Sequence, residues 1–196
     1  MAKVALLVGI STCEVGLPLL NRARTNVEVL KRALQGTNSG FDVKTLHDPP
    51  LPELTEIVEQ FFRHREHDDQ ILFLFSGYGI KDTDDQLYLA APTTALDDRG
   101  NLIRARTLPA SFLQNVMDSS PAWRQVVIFD CCFRLTPGIQ PTEDSGSMED
   151  VFDHLIGDRR VILSASTRTQ QETEPENLDA WSYTRYHGRR GCNRCG

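Results

Sequence analysis

Residues 70–79 run QILFLFSGYG and residues 125–133 run QVVIFDCCF. Each is an apolar run of strand length that stops at a short patch of small or polar residues. A strand that is apolar at every position has no solvent face, so both are expected inside a parallel sheet covered on two sides. Ser76-Gly77-Tyr78-Gly79 reads as a small-residue turn closing the first strand, and Asp130-Cys131-Cys132-Phe133 closes the second. Ligands of such sheets collect beyond the carboxyl ends of the strands. The two patches are therefore the expected edges of one site.

Outward from these runs, strand and helix patterns alternate. Residues 3–11 (KVALLVGIS) form another continuous apolar run, expected as a central strand. Leu20, Ala23, Val27, Leu30 and Leu34 recur at helical spacing until Gly36 and Asn38. Residues 41–46 make a strand closed by His47-Asp48-Pro49-Pro50, and Leu54, Ile57, Val58, Phe61 and Phe62 form the stripe of a second helix. A short strand is expected over 87–91, and a helix over 108–117 with Pro109 in its first turn. Ser147 to Asp150 resembles a capping box for a helix bearing Val151, Phe152, Leu155 and Ile156 and stopped at Gly157, with a last strand over 160–164. Parallel neighbours need crossover connections, so the pattern implies an α/β fold with a mostly parallel sheet and helices on both faces.

Composition narrows the function classes. The 196 residues suit one domain, expected over 1–186, with a mobile loop at 134–149 and a basic, glycine-rich tail at 187–196 expected to be disordered. Apolar residues make up 40% and charged residues 24%, an ordinary globular balance. Net charge is -6 and no basic patch opposes it, so no nucleic-acid partner is expected. The longest apolar runs, 4–10 and 71–75, fall far below the roughly 18 residues of a membrane span. The N-terminus enters a core strand at once and has no signal-peptide cleavage site. Five cysteines, two of them adjacent, do not make a disulfide framework, which points to a reducing, cytoplasmic setting.

Several weaker patterns have plain explanations. His47 closes a strand away from the two patches, His64 and His67 flank a charged helix end, and nothing ties His154 to the site. Cys192 and Cys195 have the C-x-x-C spacing without the further ligands of a zinc site or the strand-to-helix context of a redox motif. Asp82, Asp84 and Asp85 lack the spacing and closing Glu of a calcium loop and read as a solvated acidic turn. The Gly9 turn lacks the Lys-Ser/Thr ending of a phosphate loop. No metal or other cofactor is expected.

Taken together, the strand ending in SGYG, the LYLA segment, the strand ending in DCCF, the opening ALLVGIS, the GFDV strand with its L-x-D ending and the RVILSAS strand resemble the caspase and metacaspase family in its prokaryotic branch. The likeness runs from about Lys3 to Tyr186. It implies a caspase-like three-layer sandwich and a cysteine-type endopeptidase acting on peptide or protein substrates, with the oligomeric state left open. In that family the two patches usually read S-G-H-G and D-[SC]-C-[HF]-S-G. The resemblance therefore implies Cys132 at the nucleophile position, Gly79 in the oxyanion hole, and Asp130 and Ser76 lining a pocket for a basic side chain. Tyr78 stands where the resemblance places the general-base histidine, Arg134 and Leu135 replace the S-G, and the chain ends soon after Tyr186, where members of the family continue. Tyrosine, with a pKa near 10, neither accepts a thiol proton nor returns it well at neutral pH. A catalytically impaired domain, serving as a pseudoprotease or interaction scaffold, is the first expectation. An active or weakly active endopeptidase cleaving after Arg or Lys is the alternative.

Overall fold

The computed structural model describes residues 1–14, 17–36, 39–135, 155 and 159–166. In chain order these contain β1 (Lys3–Gly9), α1 (Asn21–Gly36), β2 (Asp42–His47), α2 (Leu51–Arg63), β3 (Gln70–Lys81), β4 (Leu87–Leu89), β5 (Leu108–Pro109), α3 (Ala110–Asp118), β6 (Arg124–Leu135) and β7 (Arg160–Ser166). Of the mobile loop expected at 134–149, Arg134 and Leu135 belong to β6 instead; the rest of it, the capping box and its helix apart from Leu155, and the basic tail lie outside the described residues.

Among the described residues one seven-stranded sheet runs β2-β1-β3-β6-β7, parallel throughout, with β4 and β5 added antiparallel. β6 accompanies β3 along its whole length, from Gln70 opposite Arg124 to Lys81 opposite Leu135. β1 occupies the other side of β3 only as far as Ser76, and β4 takes that side from Gly79 onward.

Side-chain alternation along the strands sorts the core into two layers. Leu6, Val8, Ile71, Phe73, Phe75, Val127 and Phe129 face α2 and α3, where Leu54, Val58, Phe62, Leu113 and Met117 meet them. Ala5, Leu7, Leu72, Leu74 and Ile128 face the opposite way, against Val27, Leu30 and Leu34 of α1. Helices thus cover both faces, and the architecture is the expected three-layer α/β sandwich. α1 lies so close to β1 that a Cβ at Gly9 would stand 3.0 Å from the Ala23 carbonyl oxygen and from Val27 Cγ2. No helix among the described residues is long and apolar enough to cross a membrane.

Three local expectations need correction. Ser76–Gly79 and Asp130–Phe133 are not turns; they continue β3 and β6, because the two segments pair with each other rung by rung. The glycines at 77 and 79 gave a turn signal, but neither has a positive φ. Gly79 is required instead by close packing, since a Cβ there would overlap the Phe133 ring. Pro109 precedes the third helix rather than entering it, and with Leu108 it forms the two-residue β5 beside β4. The acidic turn is not wholly solvated. Asp82 is buried, accepts hydrogen bonds from the Asp84 and Gln86 amides at 3.0 Å, and pairs with Arg104 at 2.8 Å.

Candidate active site

Adjacent residues of a strand point to opposite faces, and this decides which cysteine of the pair has chemistry open to it. Cys131 points into the layer shared with α2 and α3 and is 3% exposed. Its thiol pKa is pushed well above the usual thiol range, first by burial and then by the charges of Asp130 and Cys132. Cys132 points the other way, towards the α1 layer, and is only partly buried. Its register partner on β3 is Tyr78, and two rungs earlier Ser76 stands opposite Asp130. Two alternate rungs thus carry Ser76, Tyr78, Asp130 and Cys132 on one face.

Tyr78 is 2% exposed and packs with Leu20, Ala23, Ile80, Tyr88 and Ala90, against which Cys13, Leu17 and Cys132 also lie. Its hydroxyl donates to the Pro18 carbonyl at 3.1 Å, and the Arg134 guanidinium carbon sits 5.3 Å from its ring centroid. Burial raises the phenol pKa. Arg134 opposes that shift, while Cys132 and Cys13 add to it. A neutral phenol whose proton is engaged on a carbonyl oxygen is not a base for a neighbouring thiol at neutral pH.

The next pair on this face is polar. Asn26 of α1 donates through Nδ2 to Asp130 Oδ2 and to Ser76 Oγ at 3.3 Å, and Ser76 Oγ donates to Asp130 Oδ2 at 3.4 Å. Asp130 is 9% exposed. Sequence reasoning singled out Ser76 and Asp130 but missed Asn26. Its signal was a polar residue beside the stripe of Ala23, Val27, Leu30 and Leu34, a position that α1 packing half-buries. Pro18 was missed too, because a carbonyl acceptor leaves no mark in a sequence.

Gly79 lies opposite Phe133 within the β3–β6 ladder. The Ile10 amide donates to the Ser76 carbonyl and the Ala90 amide to the Tyr78 carbonyl, both at 2.9 Å. Even-numbered peptide groups of this stretch therefore face β1 and β4, and by alternation the Gly79 peptide faces β6.

The described histidines stand elsewhere. His47 pairs with Glu28 at 3.0 Å on β2, two strands from β3 and thus on the order of 10 Å from Tyr78. His64 caps the end of α2, and His67 lies against Trp123 with ring centroids 4.9 Å apart near the strands' N-terminal ends. His154 lies outside the described residues. Among the described residues no group of three or more His, Cys, Asp or Glu is placed to hold a metal ion.

The family model for the caspase domain matches residues 2–181. The chain belongs to the caspase-domain family. Protein GSU0716 from Geobacter sulfurreducens is a structural neighbour of this caspase domain, with a TM-score of 0.55 at 16% identity; the match covers 82% of this chain and 58% of that one. A structure of pro-sf-caspase-1 aligns with a TM-score of 0.49 at 13% identity, covering 75% of this chain and 55% of that one. No curated protein matches. The caspase domain described here thus spans little more than half the length of either structural neighbour.

Proposed function

We propose that this caspase domain is catalytically impaired and serves as a pseudoprotease or interaction scaffold for a peptide or protein partner. Cys132 occupies the nucleophile position and Tyr78 the position of the general base. The observation that carries the reading is the environment of Tyr78: buried opposite Cys132, with its hydroxyl directed to the Pro18 carbonyl. A thiol attacks an amide as its thiolate, and the leaving amine needs a proton from a group that titrates near neutral pH. General acid–base catalysis contributes roughly 10²- to 10⁴-fold, and the Tyr78 phenol supplies neither half of it. The Gly79 peptide, proposed as an oxyanion donor, faces β6, the strand that carries Cys132.

A specific observation favours the second reading, an endopeptidase of low activity cleaving after Arg or Lys. Asp130 and Ser76 are together, with Asn26, two rungs from Cys132 on the same face. A carboxylate in such a recess complements a guanidinium or ammonium group. The test is hydrolysis of fluorogenic peptides with Arg, Lys or Asp before the scissile bond by wild type, Cys132→Ala and Tyr78→His. The pseudoprotease reading expects wild type to match Cys132→Ala, with cleavage emerging only in Tyr78→His. Cleavage of Arg or Lys peptides by wild type, lost in Cys132→Ala, would establish the second reading instead.

A further inference from the structure

The Tyr78 side chain reaches beyond its own sheet to the chain segment that leads into α1. That segment has little burial of its own. Pro18 is exposed and Leu19 is 55% exposed, while Leu17 and Leu20 turn inward to the cluster that holds Tyr78 and Cys132. Its inner end is tied by the Leu20 amide, which donates to the Ser11 carbonyl at 2.9 Å. Further out, the Glu14 amide donates to the Pro92 carbonyl at 3.0 Å, and Glu14 pairs with Arg106 at 2.7 Å. The Tyr78 hydroxyl, at 3.1 Å from the Pro18 oxygen, ties the segment to the face that bears Cys132. Arg134, two residues after Cys132 and on the same face, lies over the Tyr78 ring and keeps it in place.

We propose that Tyr78 is a latch: its bond to Pro18 holds residues 17–20 against the Cys132 face, and opening of that segment sets access to the Cys132 thiol. The latch rests on the reading above only in taking the Cys132 face as the functional one. A partner that docks there must displace residues 17–20 or bind the latched form. A single neutral hydrogen bond contributes modestly, so the latch opens without global unfolding.

The test uses the full chain and two local readouts, neither of which is activity. Iodoacetamide alkylation of Cys132, resolved by mass spectrometry, and hydrogen exchange of the Leu20 amide are compared in wild type and Tyr78→Phe. The substitution keeps the ring, its packing and the stacking of Arg134 over it, and removes the hydroxyl with its bonds to Pro18 and to the Arg134 side chain. The latch predicts that both rates rise by roughly three- to tenfold, while exchange of β1 and β3 core amides stays at the wild-type rate. Unchanged Cys132 alkylation would overturn the proposal, and so would an equal acceleration of all core amides, which would make the bond a general stabiliser. Peptide turnover by wild type would break the pseudoprotease reading and leave the alkylation result standing by itself.

Discussion

Cys131 and Cys132 are neighbours in the chain, yet β6 turns one into the layer covered by α2 and α3 and the other towards a partly open face. Cys131 lies among the side chains that α2 and α3 cover, where a thiol behaves as a small apolar group. Cys132 lies beside Tyr78 and two rungs above Asp130, where side chains meet polar partners and the α1 lead-in. The difference between an inert thiol and the one proposed for the site is thus a single step of strand alternation. The two faces of β6 make different demands, the one for volume and the other for specific partners.

The largest contrast is kinetic. Site-resolved alkylation of the native chain is expected to modify Cys132 more than about a thousandfold faster than Cys131, because Cys131 becomes reachable only on global unfolding. Comparable rates would show that the two faces are not distinct. Next, Phe129→Ala on the α2/α3 face is expected to lower the unfolding free energy by about 3–5 kcal/mol in urea titration, the range for emptying a large aromatic site; Phe129 is fully buried. Gly79→Ala should cost about 1–3 kcal/mol through overpacking against Phe133. Phe133→Leu should recover part of that loss, which separates a steric cause from any role of the glycine in chemistry.

A smaller, graded effect is expected in alkali. Burial, with help from the charge of Asp48, raises the Cys13 pKa from 9.0 to about 11, so the folded chain holds that proton longer than the unfolded one. Below about pH 9 both states are protonated and this thiol leaves stability flat. Between about pH 9 and about 11 the unfolded state ionises first and stability falls. Cys131 and Tyr78, also raised by burial, push in the same direction. Urea midpoints that hold steady or rise across this window would contradict the burial of these groups. Smallest of all, Cys132→Ala should change stability by less than about 1 kcal/mol. A loss as large as that of Phe129→Ala would place Cys132 in the core and remove the contrast.

Much of this fold was legible in the sequence, because apolar periodicity reports burial directly. The continuous runs at 3–11, 70–75 and 125–129 announced strands covered on both faces, and Leu54, Val58, Phe61 and Phe62 announced the buried side of α2. The end of β3 was misread because glycine carries two meanings. At 77 and 79 it makes room for neighbouring side chains of the sheet, Phe75 and Ile10 at the first and Phe133 at the second, rather than reversing the chain. The same paired extension placed Tyr78 and Cys132 side by side, a relation that the two patches suggested and that only the register states. Asn26 and Pro18 were out of reach because their roles depend on where α1 and its lead-in lie over the sheet. The burial of Asp82 was hidden by its acidic neighbours, since composition cannot distinguish one carboxylate folded inward from those beside it.

The most direct test of the central claim, that a caspase-type face is present but disabled at Tyr78, is turnover by the unaltered chain. Peptides with Arg or Lys before the scissile bond are incubated with wild type and with Cys132→Ala at equal concentration, near neutral pH. The account predicts rates that do not differ between the two. Cleavage by wild type that disappears in Cys132→Ala would contradict it and would require a proton acceptor other than Tyr78 beside the Cys132 thiol.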